Sequence, residues 1–293
     1  MPTPSGDPYF LDSRLVRRAF DRASATFDAN AAVHAELRNR LLERLDVVKL
    51  QPRVVLDLGA GTGHATRSLQ DRYRSAYVLA ADISVPMLQQ ARKQQRWFKR
   101  FGRVACDAHL LSLKNDSVDL VFSNLMLQWC ADPDRVFDEL ARVLRPDGLI
   151  TFTALGPDTL RELRAAWDGD GHVHVHRFID MHDLGDALVR AGFADPVMDT
   201  ERLTVTYRNL DALLTELKLS GSTNLAQGRP RSLRTTRVHR RARERYENAR
   251  TDNALPVTLE VVYGHAWAGQ RREKARSATT VAVPIDRIGR RQR

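Results

Sequence analysis

Cysteine is nearly missing from this chain: Cys106 and Cys130 are the two in 293 residues. Two thiols cannot build a disulfide framework, and their spacing fits no metal site. A reducing compartment, the cytoplasm, is the simplest reading. Long apolar runs are missing too, and none approaches the roughly 20 residues that cross a bilayer. Met1–Ser13 contains prolines but no apolar stretch of the kind a secretory signal carries, so export is not expected. There is no internal repeat and no clear linker. The hydrophobic share, 43%, is ordinary for a globular protein. A chain of this length buries one large core or two small ones.

Acidic residues are in the minority, 36 against 46 lysines and arginines, for a net charge of +10. The excess is local. Arg229–Arg250 holds nine arginines and two acids, and Gln270–Arg293 holds eight basic residues and two acids. The remainder is slightly negative. A charge run is commonly a solvated face or a loose end. The functional alternative is docking of an acidic partner on the basic helix.

The chain is organised around Val54-Val55-Leu56-Asp57-Leu58-Gly59-Ala60-Gly61-Thr62-Gly63. A short apolar run containing one acid reads as a buried strand, three alternate glycines as a turn, and His64–Tyr73 as a helix. Strand, glycine turn and helix open a nucleotide-binding α/β unit. Glycine lets the backbone turn sharply and approach a ligand closely. The spacing is G-x-G-x-G, not the G-x-G-x-x-G that favours a pyrophosphate at a helix N-terminus. A structural tight turn is the plain alternative.

Taken in order, residues 1–12 read as disordered. Arg14–Asp28 is an amphipathic helix with Val16, Phe20, Ala23 and Phe27 on one face, and Val33–Leu45 continues as helix. Strands are expected at Ala76–Ala81, Arg103–Cys106, Asp116–Ser123, Leu149–Ala154, Val197–Tyr207 and Pro256–Trp267. Asp82, an acid about twenty residues past the glycines at a strand's carboxyl end, sits where a ribose diol is held. Ile83 follows it, and Ser84 can cap a helix starting at Pro86. Met87 faces either a base or the core. Asp107-Ala108 closes the third strand. Asn124 and Leu125 follow the fourth, at the crevice end of a doubly wound sheet.

Further helices are expected at Pro133–Leu144, Pro157–Trp167, Met181–Ala191 and Leu210–Leu219, with an arginine-rich one after Arg229. His172, His174 and His176 alternate in a Gly/His-rich loop. With no carboxylate or cysteine nearby, they do not suggest a metal. Strands alternating with helices imply a parallel sheet.

The G-x-G-x-G turn with an acid two residues before it resembles motif I of the class I S-adenosylmethionine-dependent methyltransferases. That resemblance implies a Rossmann-like α/β fold: a mostly parallel seven-stranded sheet, helices on both faces and an antiparallel last strand. It implies S-adenosylmethionine as cofactor, with Asp57 suited to its ammonium end and Asp107 to the adenine N6. The cofactor set is then Asp57, Gly59, Gly61, Gly63, Asp82, Ile83, Met87, Asp107, Ala108, Asn124 and Leu125. Residues 14–269 form one domain, with lid helices over 14–46 and an insertion over about 156–250. Residues 1–13 and 270–293 are ends without fixed structure. No Asn-Pro-Pro-Tyr element follows the fourth strand, which argues against amino-group methylation of DNA adenine or glutamine.

Further segments are Ala19–Ser24, Asp82–Leu88, Ser123–Leu125 with Gln128-Trp129-Cys130, Phe152–Leu155, Arg177-Phe178, and Leu217-Lys218 through Gly221–Asn224 to Gly228-Arg229, of which Gln128-Trp129-Cys130, Arg177-Phe178 and Gly221–Asn224 are the more particular. Together these resemble the malonyl-[acyl-carrier protein] O-methyltransferase family of biotin synthesis, which usually has Tyr where this chain has Phe27. The resemblance implies methylation of the free carboxylate of malonyl-acyl carrier protein, with the acidic carrier docking near Arg229–Arg250. A carboxylate with a pKa near 4 is already ionised at pH 7, so no general base is expected. Arg177 is the candidate for orienting it. Competing readings are a quinone-type or other small-molecule methyltransferase, an assembly-factor-like cofactor-binding protein acting on a protein partner, and, from the basic segments alone, RNA methylation.

Overall fold

The structure, a computed structural model, describes residues 6–169, 171–230 and 236–269. The expected basic tail and residues 1–5 of the expected N-terminal end lie outside the described residues, as do Arg231 and Arg234. Seven strands form one sheet: β1 (Val54–Leu58), β2 (Tyr77–Asp82), β3 (Gly102–Ala105), β4 (Val118–Asn124), β5 (Leu144–Leu155), β6 (Phe193–Tyr207) and β7 (Leu255–Ala268). Their order is β3-β2-β1-β4-β5-β7-β6, with β7 antiparallel to both neighbours and the other pairs parallel. This is the expected class I methyltransferase sheet. The strand order reverses between β1 and β4, so a crevice opens at the carboxyl ends of those strands.

The central strands β1, β4 and β5 are buried on both faces, which is why they read as near-continuous apolar runs. One face packs against α2 (Ala32–Arg44), α3 (His64–Arg72), α6 (Arg161–Ala166), α8 (Leu210–Leu219) and α9 (Thr236–Glu247). The other packs against α5 (Pro133–Val143) and α7 (Met181–Arg190). Local chemistry starts these helices where they are needed. Asp132 caps α5 by accepting from Arg135 N, with Pro133 in its first turn, and Val136, Phe137, Leu140 and Val143 form its buried stripe. Asp180 and Asn209 cap α7 and α8 in the same way. Ser84 caps α4 (Val85–Ala91), as expected, by accepting from Met87 N. Among the described residues no helix is long and apolar enough to cross a membrane.

Several boundaries differ from the sequence reading. The first helix, α1 (Ser13–Ala23), ends early, and a separate 3-10 turn covers Asp28–Asn30. The strand expected from Leu149 already begins at Leu144, with a bulge in β5 between the pairs Val118↔Leu144 and Leu120↔Leu149. The helix expected over 157–167 begins only at Arg161, and the arginine-rich helix spans Thr236–Glu247. Residues 6–12, expected to be loose, are held: Gly228 N donates to Pro8 O and Gln227 N to Phe10 O, and Leu11 is buried. Four apolar residues, Leu11, Val16, Ala19 and Leu225, close this contact around Trp129.

Candidate active site

A cavity of about 370 Å³ opens at the switch point of the sheet, within the range of about 300–1,000 Å³ usual for small-molecule sites. Its floor is the glycine turn. Gly59 N and Ala60 N both donate to Ala81 O, pinning the turn to the end of β2. Gly61 has φ +52° and open space where a Cβ would stand, so the backbone there is free to meet a ligand. Its N–H donates to Asp82 Oδ2 at 2.8 Å, and Ser84 N donates to Asp82 Oδ1 at 2.8 Å. Each carboxylate oxygen is thus fixed by one backbone donor and keeps accepting capacity toward the cavity. Gly63 differs. It does not line the cavity, and a Cβ there would lie 2.7 Å from Ala91 Cβ. The sequence reading grouped it with the ligand contacts, whereas close packing of α3 on α4 is what demands glycine.

Asp57 is buried, and its Oδ2 accepts from Thr66 Oγ1 at 2.5 Å. Loss of water pushes its carboxyl up to about 7, against the lowering effect of the Thr66 bond and with the Asp82 charge adding to the rise. Asp82 is pushed up to about 6, again chiefly by desolvation, opposed by its bonds from Ser84 and Gly61. Two carboxyls poised this way suit a ligand that brings a cation and hydroxyl groups, because such a ligand relieves the cost of ionising them. Ile83, Met87, Asp107, Ala108, Asn124 and Leu125 also line the cavity. Asp107 Oδ1 closes a local turn, accepting from His109 N at 2.9 Å and pairing with His109 Nδ1 at 2.6 Å. Asn124 spends its amide on the protein: Nδ2 donates to His34 O, and Oδ1 accepts from Thr153 Oγ1. Leu125 takes φ +53°, a left-handed conformation that bulky residues adopt at a cost. Its N–H is held by Thr153 O and Oγ1.

For the roof, the sequence reading expects helices over 14–46 but names none of their side chains. Ala31, His34, Ala35 and Arg38 line the cavity from the start of α2. Their spacing of i, i+3, i+4, i+7 is one helical face. That spacing, small residues alternating with polar ones, was the available signal. Desolvation lowers the Arg38 guanidinium, opposed by the charges of Asp28 and Asp57. Burial holds His34 near 4, neutral at pH 7. Cys106 and Cys130 lie on the wall, and burial pushes their thiols up to about 11 and about 12. Neither is a thiolate at neutral pH.

A second, largely apolar cavity of about 260 Å³ shares His34, Leu125 and Trp129 with the first. Its walls include Leu163 of α6, Val205 and Tyr207 of β6, Leu213 and Leu217 of α8, and the segment around Ser222–Asn224. Arg177 joins neither cavity. It is exposed, while its neighbours His176 and Phe178 are buried and line the second cavity. The extended segment turns those rings inward and Arg177 outward, so the expected carboxylate fork has no place in the cleft. His174 stacks on Trp167 with centroids 5.5 Å apart. Among the described residues no group of three or more His, Cys, Asp or Glu is arranged to hold a metal.

On α9, Arg243 is bound through both terminal nitrogens to Asp211, at 2.6 Å each, and Arg245 Nη1 donates to Asp168 O. Arg240 and Arg241 are exposed, with Glu244 at 3.7 Å from Arg240.

Residues 56–152 match the family model described as a methyltransferase domain. Among solved structures, the fold resembles the YcgJ protein of Bacillus subtilis, with a TM-score of 0.59 and 14% identity over 80% of this chain and 99% of that one. It also resembles the [4+2]-cyclase SpnF, with a TM-score of 0.60 and 19% identity over 91% of this chain and 100% of that one. At such identities only the fold is shared. Sequence relatives say more. The malonyl-[acyl-carrier protein] O-methyltransferase of Methylovorus sp. is 49% identical over 92% of this chain and 93% of its own length. That of Halorhodospira halophila is 44% identical over 98% and 99%. Identity of this order along nearly the whole length places the chain in the malonyl-[acyl-carrier protein] O-methyltransferase family.

Proposed function

We propose that this enzyme transfers a methyl group from S-adenosylmethionine to the free carboxylate of a malonyl thioester on acyl carrier protein. The methyl ester it makes then serves the early, pimeloyl stage of biotin synthesis. The observation that carries this reading is the pair of cavities meeting at His34, Leu125 and Trp129, in a chain that shares full-length identity with that family. The first cavity fits the cofactor: Asp82 faces a ribose diol, Asp57 an ammonium group, and Arg38 an amino-acid carboxylate. Its product is S-adenosylhomocysteine. The second cavity, apolar and sharing three lining residues with the first, fits an acyl thioester and its arm.

Bound there, the cofactor supplies a methyl group on an electron-poor sulfonium. One carboxylate oxygen forms the bond to that methyl carbon, and the carbon–sulfur pair of electrons leaves with the sulfur. No proton moves, so no base is needed. Opposite charges disappear as the reaction proceeds. The apolar walls and the lid over the site favour that loss by excluding water. They also hold the reactants in line. Fully protonated Cys106 and Cys130 do not compete for the methyl group.

The exposed part of α9 around Arg240 and Arg241 is proposed as the landing site for the acidic carrier. Incubation with labelled S-adenosylmethionine and malonyl-carrier protein tests the function. A base-labile methyl ester on the malonyl group is expected, and its absence with active, folded enzyme would refute the reading.

A further inference from the structure

Five buried side-chain polar atoms lack a hydrogen-bond partner among the described residues, and three of them belong to residues that line the second cavity: Gln128 Oε1, Trp129 Nε1 and His176 Nε2. The other two, Gln70 Oε1 and Tyr73 OH, lie on neither cavity wall. An unpaired buried polar group is costly, so such groups gathered beside one cavity call for a ligand. Gln128 is fixed by donating Nε2 to Leu125 O at 2.8 Å. Its Oε1 is an acceptor and cannot hold an anion. The other two differ: indole N–H is always a donor, and imidazole with its proton on Nε2 is one as well.

Trp129 and His176 are packed together, with ring centroids 4.9 Å apart. Both are more than nine-tenths buried, at 9% and 5% exposure. Phe20 meets the Trp129 ring edge-on at 5.3 Å, and Phe178 lies 4.7 Å from His176. Both rings are therefore held by packing. Trp129 lines both cavities, so it stands where the reacting end of a substrate must meet the methyl donor. We propose that Trp129 Nε1–H and His176 Nε2–H hold the substrate's free carboxylate at this junction and so select a malonyl over an acetyl thioester.

The inference rests on the malonyl-thioester reading. Neutral donors suit the chemistry better than a guanidinium. An ion pair stabilises the carboxylate most while it is fully charged, and that charge is lost on the way to the ester. Such binding is spent on the ground state and lost at the transition state. Two neutral donors orient the oxygen with less of that penalty. Burial holds His176 near 4, so it is uncharged at pH 7. With Arg177 turned outward, no cation from that segment is available to take over.

The test compares malonyl-carrier protein as substrate with acetyl-carrier protein as competitor, using wild type, Trp129→Phe, His176→Leu and His176→Gln. Gln places an N–H donor near the Nε2 position; Leu does not. Trp129→Phe and His176→Leu are expected to raise the malonyl KM by about tenfold, the effect of one hydrogen bond to a charged group. The acetyl inhibition constant should move by less than about twofold, and His176→Gln should recover most of the loss. If malonyl and acetyl constants move together, or neither moves, the donors have no role in selecting the carboxylate. If S-adenosylhomocysteine affinity shows that Trp129→Phe disturbs the fold, the Leu/Gln pair at His176 decides by the same criterion. A wild-type enzyme that makes no ester from malonyl-carrier protein sinks the functional reading itself, and the inference with it.

Discussion

Thr62 Oγ1 donates to Asp28 Oδ1 at 2.5 Å, tying the lid to the glycine turn. The other oxygen of Asp28 lies 3.3 Å from His64 Nε2, and Ser84 Oγ donates to Asp21 Oδ1 at 2.7 Å on the neighbouring helix. The N-terminal segment is thus latched to the two elements that form the cavity floor. Thr62→Val keeps the shape and removes the donor. It should weaken S-adenosylhomocysteine binding about three- to tenfold, a loss of roughly 1 kcal/mol for one half-exposed bond. Amide exchange in α1 and the Asp28 turn should quicken. Unchanged affinity and exchange would mean that the latch does not matter.

Cofactor affinity should depend on Asp82 and Gly61. Asp82→Ala removes the acceptor of ligand hydroxyls and also frees Gly61 N and Ser84 N, which it now holds. A loss of roughly 1–3 kcal/mol in calorimetry with S-adenosylhomocysteine is expected. Gly61→Val places a branched side chain at φ +52°, on the open cavity side of the turn, and should bind more weakly still. Wild-type affinity in either folded variant would place the ligand elsewhere.

The raised carboxyls make binding and stability respond to pH in opposite ways. Asp57 titrates near 7 and Asp82 near 6 in the ligand-free fold, against about 3.9 for an unfolded Asp. Between pH 4 and 7 the ligand-free fold therefore holds more protons at these sites than the unfolded chain. Their contribution to stability falls as pH rises through that window. A ligand carrying an ammonium group needs the ionised forms, so affinity should rise from pH 5.5 to 7.5. Calorimetry at pH 6 in buffers of different ionisation enthalpy should register proton release on binding. Proton uptake would contradict the assignment of Asp57 to a cationic group.

For the carrier, the informative pair is Arg240 and Arg241. Arg243 is already paired with Asp211, so reversing it would break that pair as well as change the surface charge. Replacing Arg240 and Arg241 by Glu should raise the KM for malonyl-carrier protein several-fold and flatten its dependence on salt, since exposed charges act through a screened field. A short malonyl thioester should be turned over as before. An equal response of both substrates would show that the charges do not dock the carrier.

Arg177→Ala is expected to leave turnover of the short malonyl thioester within about twofold of wild type, as is usual for an exposed side chain away from a site. A large fall in kcat/KM on that substrate would return Arg177 to the cleft.

The order of elements, the sheet class and the floor of the site were legible in the sequence because each depends on local chemistry. Apolar runs of strand length, Ser84 before Pro86, and the acid after β2 all announce themselves within a few residues. The functions of individual glycines were not legible. Gly61 and Gly63 look alike in sequence, and only the approach of Ala91 across the fold separates the cavity-facing one from the packing one. Arg177 was mistaken for a substrate contact because neighbouring positions in an extended segment face opposite ways, and the phase is set by what the segment packs on. Helices over the cleft were expected from residues 14–46, but that His34 and Arg38 are the side chains lining it depends on how α2 lies across the glycine turn. The sequence by itself determined the fold, the family and the backbone cradle. The tertiary structure decided which side chains meet at the junction of the two cavities, because that depends on burial and direction, which no single stretch of chain encodes.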